Sequence, residues 1–301
     1  VRIVSLLPSV TEIVAALGLG DRLVGRTHEC DHPPWVARVP ALTESRLRHD
    51  PLDSAGIDQA VASAFGDGLY RLDEQALRDA RPDLVITQAL CEVCAVAYDQ
   101  VEEAVSRLPT RPELLSLEPG TLDEVLASVA TVGERAGARD EADRLVAALR
   151  ERLQRARRAV AGRPARRVVC LEWLDPPYAA GHWVPHQVEA AGGHDPLGRP
   201  GRPSVRITDQ AIAAADPELL VLMPCGWNVD QADRALDRER FLARFAGAPF
   251  VRTGAVLAVN GAAYFSRPGP RLVDGVELLA ALFHPAAADP PPPEAARWLE
   301  I

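Results

Sequence analysis

The chain has 301 residues, which sets an expectation of about two domains at ~150 residues each. Hydrophobic residues make up 48% and charged residues 25%, the balance of an ordinary globular protein with a sizeable core. A formal net charge of -9 argues against a nucleic-acid partner, and no stretch approaches the ~18 consecutive apolar residues of a membrane-spanning helix.

Arg2 to Leu6 is a short β-rich run. Ser9 and Glu12 have capping-box spacing, so a helix is expected through Leu17, stopped by Gly18 and Gly20. A second strand is expected near Leu23 to Gly25, and a helix at Leu72 to Ala80 closed by Arg81, Pro82 and Asp83. Leu84 to Thr87 reads as a buried strand and Glu113 to Leu117 as another. Strands alternating with helices predict a parallel sheet covered on both faces. From Asp140 to Val160, apolar residues recur at helical spacing over about 30 Å, with no Gly or Pro to interrupt them. Asp140 with Arg144, and Glu151 with Arg155, are i,i+4 pairs of favourable orientation. Such a helix halfway along the chain can serve as a strut between two lobes.

The second half repeats this grammar. Strands are expected at Arg167 to Leu171, Leu219 to Met223 and Ala255 to Val259, with helices at Pro185 to Ala191, Thr208 to Ala215 and Gly269 to Phe283. Past His284 the Ala- and Pro-rich chain reads as a disordered or surface-tethered tail. The expected division is an N-terminal α/β lobe over 1–118, a linker with the long helix over 119–162, a C-terminal α/β lobe over 163–285 and a tail over 286–301.

In open parallel sheets, ligands sit beyond the carboxyl ends of the strands. Aromatic residues are only 5% of the chain, yet six fall in the three segments after the second-half strands. Trp173, Tyr178 and Trp183 follow the first of these strands, Trp227 the second, and Tyr264 and Phe265 the third. Loops are ordinarily polar, so this gathering suggests a flat apolar surface for a ligand. Gln88, Asn228, Ser266 and Arg267 are candidate hydrogen-bonding partners, with His182 and Cys225 in the same loops. His182 and His186 have i,i+4 spacing but lack the adjoining Glu of a metalloprotease motif; a ligand-loop hydrogen bonder beside a surface His is the better reading. His28 to His32 reads as a loop with a satisfied His rather than a metal site. No nucleophile elbow, phosphate loop or defensible acid–base pair is present, so an enzyme is not expected.

The five cysteines form no regular disulfide framework. Cys30, Cys91, Cys94 and Cys225 follow predicted strands, and Cys170 lies inside one. A Cys-ligated metal site or redox protein built on Cys91, Cys94, Cys30 and Cys225 is the competing reading; small packing residues or a Cys91–Cys94 disulfide are favoured over it. Cysteine usage and the lack of a leader-like start set an expectation of the cytoplasm, or of an extracytoplasmic site if a leader has been removed.

The opening RIVSLLPSVTEIVAALGLGDRLVG resembles the first strand–helix–strand of the iron-siderophore and cobalamin periplasmic-binding family, the class III ABC-type solute-binding proteins. HECDHPP, LYRLDEQALRDARPDLVITQ, CEVCAV, LEWLDPPYAAGHWVP, AGG, DPELLVLMPCGW and YFSRPGPRLVDGVELLA together look like its cobalamin-binding branch, over roughly Arg2 to Phe283. The resemblance implies two Rossmann-like α/β lobes with parallel sheets joined by a single long helix. It also implies limited hinge motion, a ligand clamped between the lobes, and delivery by a monomer to the permease of a membrane ABC importer. Cobalamin or a related corrinoid ranks first: it is broad, weakly charged and fringed with amides, which suits aromatic contacts and scattered donors. An anionic siderophore would call for an Arg cluster, for which only Arg267 and Arg206 are placed. Haem would call for an exposed axial ligand, for which His182, Tyr178 and Tyr264 are candidates.

Overall fold

In the computed structural model, which describes residues 1–46, 54–63, 69–89, 96–286 and 291–301, the chain divides into two units. The first takes in Val1–Leu52, Gly56–Pro119 and Glu124–Ala148; the second takes in Asp53–Ala55, Gly120–Asp123 and Leu149–Ile301.

The first unit begins with β1 (Ile3–Ser5), α1 (Pro8–Ala16), β2 (Leu23–Arg26) and β3 (Thr43–Ser45). It continues with α2 (Ser54–Ser63), β4 (Tyr70–Leu72), α3 (Glu74–Ala80), β5 (Leu84–Thr87), α4 (Tyr98–Ser106), β6 (Glu113–Ser116) and α5 (Leu122–Arg135), the first two residues of α2 and of α5 counting with the second unit. Its sheet runs β2-β1-β5-β6, parallel throughout, as the buried apolar runs predict. Val4 and Val85 pack with Leu77, Val101 and Val105 of the covering helices. β3 and β4 form a separate antiparallel pair, so the expected helix from Leu72 starts later: Leu72 is extended, and Asp73 caps α3 by accepting from the amides of Gln75 and Ala76. The Ser9–Glu12 capping box does not form. Pro8 occupies the first helical turn, Leu7 becomes the cap, and Ser9 and Glu12 are buried inside α1.

The long helix is α6 (Arg139–Val160), 22 residues and about 33 Å at ~1.5 Å per residue. Ala142, Val146, Leu149, Leu153, Ala156 and Val160 are all buried, the 3–4 alternation of one helical face. The chain passes from the first unit to the second within it, between Ala148 and Leu149. Glu151 pairs with Arg155 as expected, but Arg144 pairs with Glu141, one helical position closer than Asp140.

The second unit contains β7 (Arg166–Leu174), β8 (Pro177–Ala179), α7 (Val184–Ala190), β9 (Gly193–His194), β10 (Val205–Arg206), α8 (Asp209–Ala214) and β11 (Leu219–Leu222). Then follow α9 (Val229–Ala235), α10 (Arg238–Arg244), α11 (Pro249–Arg252), β12 (Val256–Val259), α12 (Gly261–Tyr264), α13 (Leu272–Phe283) and β13 (Ala296–Trp298). The sheet runs β10-β8-β7-β11-β12-β13, with β9 also on β7. β7, β11 and β12 are the parallel centre; β8, β10 and β13 are antiparallel additions. From α6, Arg152 reaches α13 and bonds to both Asp274 and Glu277, which raises the guanidinium pKa.

Two expectations are corrected here. β7 does not stop at Leu171 but runs to Leu174 and turns back as a hairpin with β8. Of the two readings of the tail, disordered or surface-tethered, its end is not disordered: Ala296–Trp298 pairs with β12, while Leu299 is buried and Ile301 packs on the core. That core includes the mutually packed rings of Phe241, Phe245 and Phe250.

Candidate functional site

At the carboxyl ends of β7, β11 and β12 the second unit gathers an aromatic face. The β7–β8 hairpin sets Trp173 opposite Tyr178, and β10 sets Arg206 opposite Tyr178, so these three share one face of the sheet. Trp173 donates its indole N–H to the carbonyl of Ser54 at 3.1 Å, and the Ser54 hydroxyl accepts from the Asp175 amide at 3.1 Å. The rings of Trp173 and Trp227 meet at 5.1 Å with a 55° tilt, and both residues stay half-buried. Trp227 packs its inner side on the aromatic core. The pair therefore keeps apolar surface available for a ligand.

The loops after β11 and β12 are stitched to each other. Ala262 donates to the carbonyl of Trp227 at 3.0 Å, and the Gly226 amide donates to Ser266 Oγ at 3.3 Å. A Cβ on Gly261 would lie 2.3 Å from the Pro224 carbonyl oxygen, so only glycine permits this approach. Each loop then enters a helix through its own cap. Asn228 and Gln231 form a reciprocal capping box on α9, and Asn260 Oδ1 accepts from the Ala263 amide on α12. Cys225 is exposed between them, its amide bonded to the Glu172 carbonyl.

Trp183 and Phe265, expected as ligand contacts, are instead core residues, 6% and 2% exposed. The Trp183 indole N–H donates to the Phe265 carbonyl at 2.7 Å, tying the start of α7 to the end of α12. Their surface is used by the protein itself. Tyr264 remains half-buried, with the Arg271 guanidinium 5.0 Å over its ring. Its carbonyl accepts from the fully buried Gln187 amide at 3.0 Å, which also donates to Leu272 O at 2.8 Å. Arg267 is half-buried on the same loop.

His182 takes a left-handed backbone, φ 47°, and stacks on Trp183 at 5.5 Å. The loop over 199–202 holds it on both sides: His182 N donates to Arg202 O, and Gly201 N donates to His182 O. Burial lowers the imidazole pKa, which favours the neutral ring. Its Nε2 is buried and makes no hydrogen bond among the described residues. Glu172, unremarked in the sequence, accepts the Gly181 amide at 2.9 Å and so fixes the approach to His182.

In the first unit, the strand ends carry polar rather than aromatic groups. Thr11 Oγ1 donates to Ser5 Oγ at 2.8 Å and lies 3.0 Å from Cys30 Sγ. Thr43 Oγ1 contacts Thr27 Oγ1 and His28 Nδ1 at 2.8 and 2.7 Å. Gln88 is buried just past β5. Cys91 and Cys94 lie outside the described residues. Cys30 is buried in the first unit and Cys225 exposed in the second; among the described residues no three His, Cys, Asp or Glu gather to hold a metal.

Comparison with known proteins returns one consistent picture. A family model described as periplasmic binding protein matches residues 3–261. An uncharacterised ABC transporter substrate-binding lipoprotein, YvrC, of Bacillus subtilis (strain 168) is 26% identical over 297 residues, covering 94% of this chain and 80% of that protein. Among solved structures, the periplasmic heme-binding protein RhuT of Roseiflexus sp. RS-1 superposes with a TM-score of 0.70 at 22% identity, covering 95% of this chain and 99% of that one. The periplasmic vitamin B12 binding protein BtuF of Vibrio cholerae gives 0.68 at 19% identity, covering 95% and 97%. Likenesses at this level establish the fold. No helix of the described residues is long and apolar enough to cross a membrane.

Proposed function

This chain belongs to the periplasmic binding protein family, and from that premise we propose that it is the solute-binding component of an ABC importer whose ligand is cobalamin or a related corrinoid. The role is binding and delivery, not catalysis. The observation that carries the ligand is the half-buried Trp173–Trp227 pair, flanked on its strand row by Tyr178. A corrin ring system is broad and apolar in its body, with amides at its edge. Aromatic faces bury such a body, and polar groups nearby, Arg206 and Arg267 among them, reach its fringe. The vitamin B12 binding protein among the structural relatives supports the fold's fitness for this ligand, and the heme-binding ones mark the strongest rival. The Bacillus relative is described as a lipoprotein, which supports an extracytoplasmic setting over the cytoplasmic one suggested by cysteine usage.

The test is titration of the purified chain with cyanocobalamin, hydroxocobalamin, hemin and a ferric siderophore, followed by tryptophan quenching and calorimetry. Saturable binding of a cobalamin at micromolar concentration or below is expected, weakened at least tenfold by Trp173→Ala or Trp227→Ala. Tight hemin or siderophore binding without cobalamin binding overturns the ligand. Unaltered cobalamin affinity in both variants overturns the aromatic face as its site.

A further inference from the structure

The final residues of the chain reach both loops of the aromatic face. The Asn260 amide donates to Ala295 O at 2.9 Å, and the Leu299 amide donates to Val256 O at 2.9 Å. Hydrogen-bonded partners in an antiparallel pair recur every second residue, so the opposed Ala258 and Arg297 are the bonded pair between them. This ladder ends on Asn260, the residue that caps α12 and opens the loop bearing Tyr264. The Arg297 side chain turns to the other loop. Its guanidinium donates to Asp230 at 2.7 Å and to Asp233 at 3.1 Å, both on α9, whose cap Asn228 adjoins Trp227. Arg238 of α10 shares Asp233 at 2.5 Å and donates to the Glu300 carbonyl at 2.8 Å.

We propose that the C-terminal segment 295–301 is a positioning clamp for the binding face, with Arg297 as the residue that joins its two loops. Its backbone holds the root of the Tyr264 loop, and its guanidinium holds the helix that follows the Trp227 loop. Exposed ion pairs add little to global stability, so the effect is local order: two segments that would open independently are held by one strand. The functional consequence rests on the ligand reading given above, but the clamp itself is testable without ligand.

Amide hydrogen exchange, read by mass spectrometry on the whole chain, compares Arg297→Pro, Arg297→Ser and Trp298→Ser with the parent. Proline at 297 removes the ladder bond donated by the residue 297 N–H and both ion pairs; exchange over 225–228 and 260–266 should rise at least tenfold, with β7 and β11 unchanged. Arg297→Ser keeps the ladder, so only 224–235 should respond. Trp298 is exposed and not at a bonded position, so its substitution should move neither loop. Unchanged exchange in both loops of Arg297→Pro overturns the clamp, as does an equal rise through β7 and β11. Cyanocobalamin titration of the same proteins is read separately. A parent chain that binds none yet shows the two-loop effect supports the clamp and refutes the ligand reading alone.

Discussion

Raising the pH from 5 to 7 should weaken the second unit through Asp195. Its Oδ2 accepts from the Cys170 amide at 3.0 Å, and its Oδ1 accepts from the amides of Leu197 and Gly198 at 2.9 and 3.0 Å. These bonds favour the carboxylate, but burial outweighs them and raises the pKa from 3.8 to about 6. A carboxyl whose folded pKa exceeds its unfolded one binds more protons in the native state. Its stabilising contribution is therefore complete below about pH 3.8 and is lost as pH rises through about 6. The rise from 3.8 to about 6 corresponds to at most about 3 kcal/mol, of which about 1.3 kcal/mol is lost between pH 5 and 7. Four of the five tryptophans, all but Trp35, lie in the second unit, so urea unfolding followed by their fluorescence reports on it. Asp195→Asn replaces one carboxyl oxygen by an NH2 that cannot accept, leaving a backbone donor without its acceptor whether the carboxyl is protonated or not, so it should be the less stable chain at pH 5 by about 1–2 kcal/mol. The gap should narrow by about 1.3 kcal/mol by pH 7, because only the parent titrates. A gap that is constant across this range, or that widens, refutes the buried-acid argument.

Trp183→Ala should destabilise the protein by about 3–5 kcal/mol in a denaturant titration, since a buried, hydrogen-bonded ring leaves a cavity. Trp173→Ala should cost far less stability and act on ligand affinity instead, and the two effects are separated by measuring unfolding and binding on each variant. Gln187→Leu strands the carbonyls of Tyr264 and Leu272 without their donor; a loss of about 2 kcal/mol or more is expected, with altered Tyr264 signals in NMR spectra. Gly181→Ala would place a Cβ 2.3 Å from Ser204 N and 2.6 Å from Arg202 O. Because backbone must move to admit it, about 1–3 kcal/mol should be lost and the His182 resonances should shift; an unchanged melting temperature would contradict the close approach.

The elements that the sequence specifies are those whose signal is local. Four-residue apolar runs such as Leu84–Thr87, Leu219–Leu222 and Val256–Val259 are strands because each is buried on both faces of a parallel sheet. α6 is legible because its buried residues recur at 3–4 spacing without Gly or Pro. The segments that we propose bind the ligand are also marked in the sequence, as aromatic residues beyond strand ends. Which of those aromatics face outward is not. Trp173 and Trp183 are the same residue type ten positions apart, yet one stays half-exposed against Trp227 and the other is sealed under Phe265. The difference is made by residues 54 and 82 positions away, Trp227 and Phe265, which no window of sequence contains. The hairpin from Trp173 to Tyr178 hid behind Pro176 and Pro177, and β13 hid behind a proline run. β13 is an edge strand and β8 lies between β7 and β10; the backbone bonds of both exist only once β7 and β12 are in place to receive them. Periodicity records what a segment buries on its own account, whereas the exposure of a side chain and the pairing of an edge strand are set by partners that only the folded chain brings near.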